Sequence, residues 1–175
     1  MLKLCVIGKD VSQSQSPAMH TFLLNKMGAD CSYEAVSIPP AEFSARAEAL
    51  FETYDAFNVT IPFKGDIMPY LTSIEGDAKA FGAVNTVLSK ERRGFNTDGL
   101  GFMLMLENAG VNVAGKSVLV LGTGGAGRSC IKKLMEHGAN VSAYERDAAR
   151  LNAVYEEFGG FTPLYHRPVS YEGKD

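Results

Sequence analysis

The chain has 175 residues, 46% of them hydrophobic, which is enough to bury a core and to form one or two domains. Its 17 Lys and Arg against 20 Asp and Glu leave a net charge of −3. That balance excludes the basic field a nucleic-acid backbone requires and points to a small-molecule partner. The expected elements run as follows. Leu2 to Ile7 reads as a first strand ending at Gly8, and this apolar run is too short for a signal segment or a membrane span. No membrane partner is therefore expected, and the cytoplasm is the expected compartment. Ser16 as N-cap and Pro17 at the first helical position open a helix to about Met27, closed by Gly28. Cys31 to Ile38 reads as a second strand, Pro40 to about Glu52 as a helix, and Ala56 to Ile61 as a third strand. Ala83 to Ser89 and Gly94 to Asn96 are two short extended pieces around a turn at Lys90 to Arg93.

From Thr97 the pattern changes. Leu100, Met103 and Leu104 lie along an apolar helix that runs to Gly110 and is expected to connect two domains. Lys116 to Leu121 then reads as a buried parallel strand, followed by a helix from about Ala126 to His137 and a strand from Asn140 to Tyr144. A helix from Asp147 to Phe158 and a last extended piece from Phe161 to Tyr165 complete the pattern. Short apolar runs alternating with longer helical ones are the rhythm of βαβ units, so the expected class is α/β. The expected domains are 1–98, a connecting helix and linker at 99–115, and 116–175. Cys5, Cys31 and Cys130 are scattered, with neither CxxC spacing nor a nearby histidine pair, so no metal site is expected and they read as reduced core thiols.

Two stretches carry chemistry. NVTIPFK, from Asn58 to Lys64, places Asn58 and Thr60 on one face of a strand end, and Pro62 then stops the ladder. Lys64 follows, where a loop can aim it back over that face; the plain alternative is an edge strand ending in a solvated lysine. The second stretch is Gly122-Thr123-Gly124-Gly125-Ala126-Gly127, which fits G-x-G-x-x-G between a strand and a helix. Glycines there let the backbone approach a pyrophosphate, whose charge meets the free N–H groups of the helix start. A merely tight strand-to-helix turn is the alternative. Eighteen residues after Gly127 stand Glu145 and Arg146, with Arg150 one turn further on. An acid at this position accepts from the adenosine ribose hydroxyls and favours NAD, whereas arginines pair with a 2′-phosphate and favour NADP. Both are present, and Arg146 and Arg150 also fit a plain helix surface beside a capping Asp147.

With Ser14-Gln-Ser16-Pro17, NVTIPFK, Gly82-Ala-Val-Asn-Thr86, Asn96-Thr-Asp-Gly99 and the glycine turn in this order, the chain resembles the shikimate dehydrogenase family over nearly its whole length. The resemblance implies reversible reduction of 3-dehydroshikimate to shikimate with NADP, or with NAD as the alternative. It also implies an N-terminal α/β substrate domain followed by a Rossmann-like domain, with substrate in the cleft between them. By the same resemblance Ser14 and Ser16 bind the substrate carboxylate, while Thr60, Asn85 and Asp98 hold its ring oxygens. Lys64 is the acid–base residue, with Asp98 holding it and a substrate hydroxyl. These side-chain types also suit the ligand on their own account: hydroxyl and amide groups satisfy a polyhydroxylated acid without a metal. Locally, Ser16 also fits a helix cap, and Asn96 to Gly99 a turn.

The chain departs from the family pattern at Gln13, where members commonly carry histidine, and at Asp10, where proline is usual. Glu145 stands where NADP-using members more often have a neutral polar residue. Only about 60 residues follow Gly115, one half of a doubly wound domain, so the Rossmann-like domain is expected to be partial and the chain to be a truncated form. Tyr165 to Asp175 shows no strand of a second half, the family's late substrate-binding glutamine is absent, and an open apolar strand edge is expected. Three rival readings stand beside the main one: a folate-linked dehydrogenase, which has no need of paired serines; a quinate/shikimate dehydrogenase using NAD; and a shikimate-binding module without catalysis. The residues leave the oligomeric state open.

Overall fold

A computed structural model describes residues 1–166; the stretch 167–175, part of the tail expected to add no strand, lies outside them. The chain divides into two compact units, Met1–Thr97 and the residues from Asp98 onward.

The first unit is a six-stranded sheet in the order β2-β1-β3-β5-β6-β4. Its strands are β1 (Leu2–Gly8), β2 (Cys31–Ser37), β3 (Ala56–Val59), β4 (Ser73–Ile74), β5 (Thr86–Leu88) and β6 (Arg93–Phe95). β1 pairs in parallel with both β2 and β3, and β5 runs antiparallel to β3 and to β6. The helices α1 (Ser16–Lys26), α2 (Phe43–Thr53) and α3 (Gly76–Phe81) connect them. Alternation along β3 buries Phe57 and Val59 and leaves Asn58 half-buried. The core gathers Cys5, Ile7, Ile38, Phe43, Ala47, Leu50, Phe57, Phe63, Ile67 and Val87. Phe43 stacks on Phe63 with ring centroids 4.3 Å apart, tying α2 to the turn that carries Lys64.

Several boundaries differ from expectation. The third strand ends at Val59 rather than Ile61, and 61–67 form a continuous turn because Pro62 has no N–H for a ladder. Ser16 is not the N-cap: the helix already includes it, Gln15 holds the cap position without a side-chain bond, and the Ser14 hydroxyl accepts from Ser16 N–H at 3.2 Å. The helix expected over 40–52 begins as a 3₁₀ turn at Pro40–Glu42 before α2. β4, α3 and a 3₁₀ turn at Met68–Tyr70 have no counterpart in the expected elements; each is six residues or shorter, below the length at which periodicity is readable. Cys5 is buried, whereas Cys31 and Cys130 are only half-buried, and all three are free thiols.

The second unit holds the parallel sheet β7-β8-β9, formed by β7 (Ser117–Leu121), β8 (Asn140–Tyr144) and β9 (Thr162–Leu164). The helices α4 (Asp98–Asn108), α5 (Gly125–Glu136) and α6 (Ala148–Phe158) accompany it. Its core is Val113, Ile131, Leu134, Val141, Ala143, Leu151, Val154 and Phe161, with Phe102, Met103 and Leu106 of α4 packed against it. This strand–helix–strand–helix–strand run is the first half of a Rossmann-type arrangement. Among the described residues β7 pairs only with β8, and its Val118, Leu119 and Val120 are half-buried. Also among the described residues, no helix is long and apolar enough to cross a membrane, and no three His, Cys, Asp or Glu side chains group as metal ligands would.

Candidate functional site

In the first unit the sheet order puts β2 and β3 on opposite sides of β1, so the loops leaving β1 and β3 open at a switch point beyond their carboxyl ends. The antiparallel β5 brings its amino end to the same edge, with Asn58 opposite Thr86, and β6 returns its carboxyl end there, with Phe95 opposite Thr86. One edge of the sheet therefore receives Ser14 and Ser16 after β1, Thr60 and Lys64 after β3, Asn85 before β5, and Asn96 and Thr97 after β6.

Each of these residues is held locally. After β1 the Asp10 carboxylate accepts from the Ser12 hydroxyl at 2.8 Å and from Ser12 N–H at 3.1 Å, and the hydroxyl bond above all keeps its pKa below the usual range. Val11 N–H donates to the Ser37 hydroxyl of β2 at 3.0 Å, and Ser14 N–H to the Val11 carbonyl at 3.0 Å. The expected substrate residues Ser14 and Ser16 are thus bonded to each other, both half-buried at the opening of α1. Beyond β3, Thr60 N–H donates to the Ile7 carbonyl at 2.9 Å. Half-buried Lys64 is fixed through its main chain, its carbonyl accepting from Val84 N–H at 2.8 Å.

Asn85 is buried in a network of side chains. Its Oδ1 accepts from the Thr86 hydroxyl at 2.9 Å and from Thr97 N–H at 3.1 Å, while its Nδ2 donates to Thr97 Oγ1 at 3.1 Å. Asn58 Nδ2 donates to Thr86 Oγ1 at 3.1 Å and to the Asn85 carbonyl at 3.2 Å. The Tyr33 hydroxyl donates to Asn58 Oδ1 at 2.6 Å. Burial, with a smaller contribution from Cys5, pushes the Tyr33 pKa up and keeps the hydroxyl a donor. Sequence reasoning assigned no role to Tyr33, Thr86 or Thr97. The two threonines fall inside the quoted motifs, which was the available signal, whereas nothing around Tyr33 distinguishes it from any aromatic strand residue.

In the second unit the expected phosphate turn occupies the gap between β7 and α5. Gly122 has φ +97°, a left-handed conformation that disfavours side chains, and its N–H donates to the Tyr144 carbonyl at 2.8 Å. A Cβ placed on Gly127 would lie 2.0 Å from the Gly122 carbonyl oxygen, so the helix start closes onto the turn only because Gly127 has none. Above Gly124 and Gly125, by contrast, a Cβ would meet nothing within 4 Å, leaving open space in front of the first N–H groups of a 12-residue helix. Thr123 is buried, and its N–H donates at 3.0 Å to Glu145 Oε2 at the end of β8. Glu145 Oε1 accepts from Arg146 N–H at 2.8 Å. These backbone donors, Thr123 first, hold the Glu145 pKa below the usual glutamate range. Asp147 caps α6, accepting from Ala149 N–H at 3.0 Å and Arg150 N–H at 3.2 Å, while Arg146 and Arg150 are exposed beside it. Ala126 is exposed on the first turn of α5. The open glycine backbone, a helix start and exposed arginines fit a dinucleotide phosphate. Asp98, half-buried in the first turn of α4, lies close enough to Cys130 that its charge, after burial, raises that thiol's pKa.

Residues 6–87 match the shikimate dehydrogenase substrate binding domain. The shikimate dehydrogenase (NADP(+)) of Thermus thermophilus is 40% identical over 161 residues, which are 91% of this chain and 61% of that protein. Its crystal structure, in complex with NADP(H) and shikimate, superposes with a TM-score of 0.86 at 38% identity over 94% of this chain and 63% of the other. The shikimate dehydrogenase of Aquifex aeolicus superposes with a TM-score of 0.88 at 35% identity, over 94% and 62% respectively. The chain thus spans about three-fifths of the length of these relatives. With residues 6–87 matching the substrate domain and the similarity running on over most of the chain, the chain is similar to the shikimate dehydrogenases.

Proposed function

We propose that this protein serves the reversible NADP(H)-linked interconversion of 3-dehydroshikimate and shikimate, in the cytoplasm, where its three free cysteines stay reduced. The observation that carries this reading is the convergence of Ser14, Ser16, Thr60, Lys64 and Asn85 on one sheet edge, at its switch point. Hydroxyl, amide and ammonium groups there match a polyhydroxylated carboxylic acid: Ser14 and Ser16 take the carboxylate, Thr60 and Asn85 the ring oxygens. Lys64 then donates a proton to the substrate oxygen as it gains negative charge, and takes the proton back in the oxidative direction. A bound nicotinamide supplies the hydride. The N–H groups of Gly124, Gly125 and Ala126 in the Gly122–Gly127 turn, beside Thr123, would hold its pyrophosphate, and Arg146 and Arg150 would hold the 2′-phosphate.

One observation favours a second cofactor. The Glu145 carboxylate stands at the end of β8 beside the turn, where an acid would accept from the 2′- and 3′-hydroxyls of a ribose and repel a phosphate, so NAD is the alternative. The test has two parts. Calorimetric titration of the chain should show shikimate binding that Ser14→Ala with Ser16→Ala weakens; a chain that ignores shikimate overturns the substrate assignment. In a turnover assay with shikimate and NADP⁺, Lys64→Ala should cut the rate by about a hundredfold or more. A rate near wild type would remove Lys64 from the proton transfer, and shikimate binding without turnover by the unaltered chain would favour a binding module.

A further inference from the structure

We propose that Thr86, Asn58 and Tyr33 are positioning residues that fix the orientation of the Asn85 side-chain amide, with its oxygen held by Thr86 and Thr97 N–H and its nitrogen on Thr97 Oγ1, and so set how Asn85 meets substrate. The proposal rests on the reading of Asn85 as a substrate-binding residue.

The direction of every bond in the network follows from two main-chain groups whose roles are fixed. At one end the Asn85 carbonyl can only accept, and Asn58 Nδ2 lies 3.2 Å from it. That sets the Asn58 amide: its nitrogen faces Asn85, its second N–H goes to Thr86 Oγ1 at 3.1 Å, and its oxygen faces the Tyr33 hydroxyl at 2.6 Å. Thr86 has a single proton, and with a lone pair taken by Asn58 it gives that proton to Asn85 Oδ1 at 2.9 Å. At the other end Thr97 N–H, which can only donate, lies 3.1 Å from the same Oδ1. Both lone pairs of Asn85 Oδ1 are thereby engaged, by donors reaching it from β5 and from the segment after β6.

The reversed amide would place Nδ2 of the buried Asn85 against two donors and lose the bonds from both Thr86 and Thr97. Tyr33 closes the outer end of the chain, and its ring stacks on His20 of α1 with centroids 4.8 Å apart and planes 12° from parallel. The polar line therefore starts on β2, crosses β3 and ends beside the ligand edge of β5, and no member of it other than Asn85 needs to touch substrate.

Two measurements on the full chain test this. In the ligand-free, ¹⁵N-labelled protein, the Asn85 side-chain amide protons should be resolved and slow to exchange. In the isosteric Thr86→Val they should move toward the position of a free asparagine and exchange quickly, and Thr86→Ser, which keeps the hydroxyl, should restore them. Unchanged Asn85 amide signals in Thr86→Val would overturn the proposal. In calorimetric titration with shikimate, Thr86→Val should weaken binding by about tenfold, the scale of one lost hydrogen bond, and Thr86→Ser should recover it. Once Asn85→Ala is in place, Thr86→Val should add nothing; a full additional loss in that background would show that Thr86 acts independently and overturn its positioning role. If Asn85→Ala leaves shikimate affinity unchanged, the substrate role of Asn85 falls, while the ligand-free spectra still decide whether Thr86 orients it.

Discussion

The two candidate ligand regions are built on opposite plans. At the edge of the first sheet the working surface is made of side chains, and the polar atoms around Asn85 are engaged by other side chains or by the main chain of a neighbouring strand. At the turn between β7 and α5 the working surface is the main chain itself, and side chains matter there chiefly by their absence. The difference decides how each region fails. The first responds to changes in hydrogen-bonding character that keep volume constant, such as threonine to valine. The second responds to added volume whatever its polarity.

The largest effect that would break this contrast lies inside the glycine turn. Gly127→Ala forces a methyl to within 2.0 Å of a main-chain oxygen that cannot step aside, so the turn or the first helical residues must move. We expect a loss of about 3 kcal/mol in urea unfolding of the chain, together with loss of measurable NADP⁺ binding. Gly125→Ala meets nothing within 4 Å and should leave stability unchanged or raise it by up to about 1 kcal/mol. Its NADP⁺ affinity should nevertheless fall by about tenfold, because the methyl occupies the space through which a phosphate reaches the helix start. Equal affinity in Gly125→Ala and wild type would mean that no phosphate rests there, and the turn would be structural only.

The same contrast explains what the amino-acid sequence reveals. The glycine turn is legible because its determinants are consecutive: a β-branched strand, glycines at fixed spacing and a helical pattern follow within some twenty residues, and β7, α5 and β8 form as that spacing predicts. The parallel first sheet is legible for the same reason, through short apolar runs separated by helices. The support of Asn85 is not, because Asn58 is 27 residues away in the chain, Tyr33 a further 25, and their contacts depend on strand register rather than on local pattern. Ser14 and Ser16 show a subtler limit. Ser16 before Pro17 has the composition of a cap, yet the hydroxyl that accepts from a helix-start N–H belongs to Ser14, since the helix begins one residue earlier than the proline implies. The interval from Met68 to Phe81 holds three elements too short for any period to register.

A smaller effect sharpens the picture at α6, where a side chain does the work the glycines do at α5. Asp147 satisfies two orphan N–H groups, at Ala149 and Arg150, and Asp147→Ala should cost about 1 kcal/mol in urea unfolding. No change in stability would mean that α6 is held at its start by packing alone.

The smallest effect concerns Glu145, whose carboxylate bonds to the glycine turn at Thr123. Its pKa is lower in the folded chain than its ordinary value, chiefly because Thr123 N–H donates to it. A depressed carboxylate pKa means that the stabilisation is complete above the unfolded-state value and is lost as pH falls through the folded-state value. The Thr123 amide resonance should therefore hold its position from neutral pH downward and shift only at a pH below the ordinary glutamate midpoint of 4.5. Glu145→Gln should abolish that titration. The substitution should also raise affinity for NADP⁺ relative to NAD⁺ by about threefold, the scale of one exposed charge acting on a phosphate in screening solvent. A midpoint at or above the ordinary value would mean that the carboxylate stands away from the turn in solution. The acid would then be free to take the ribose hydroxyls of NAD, and the main-chain plan of this region would lose a side-chain tether.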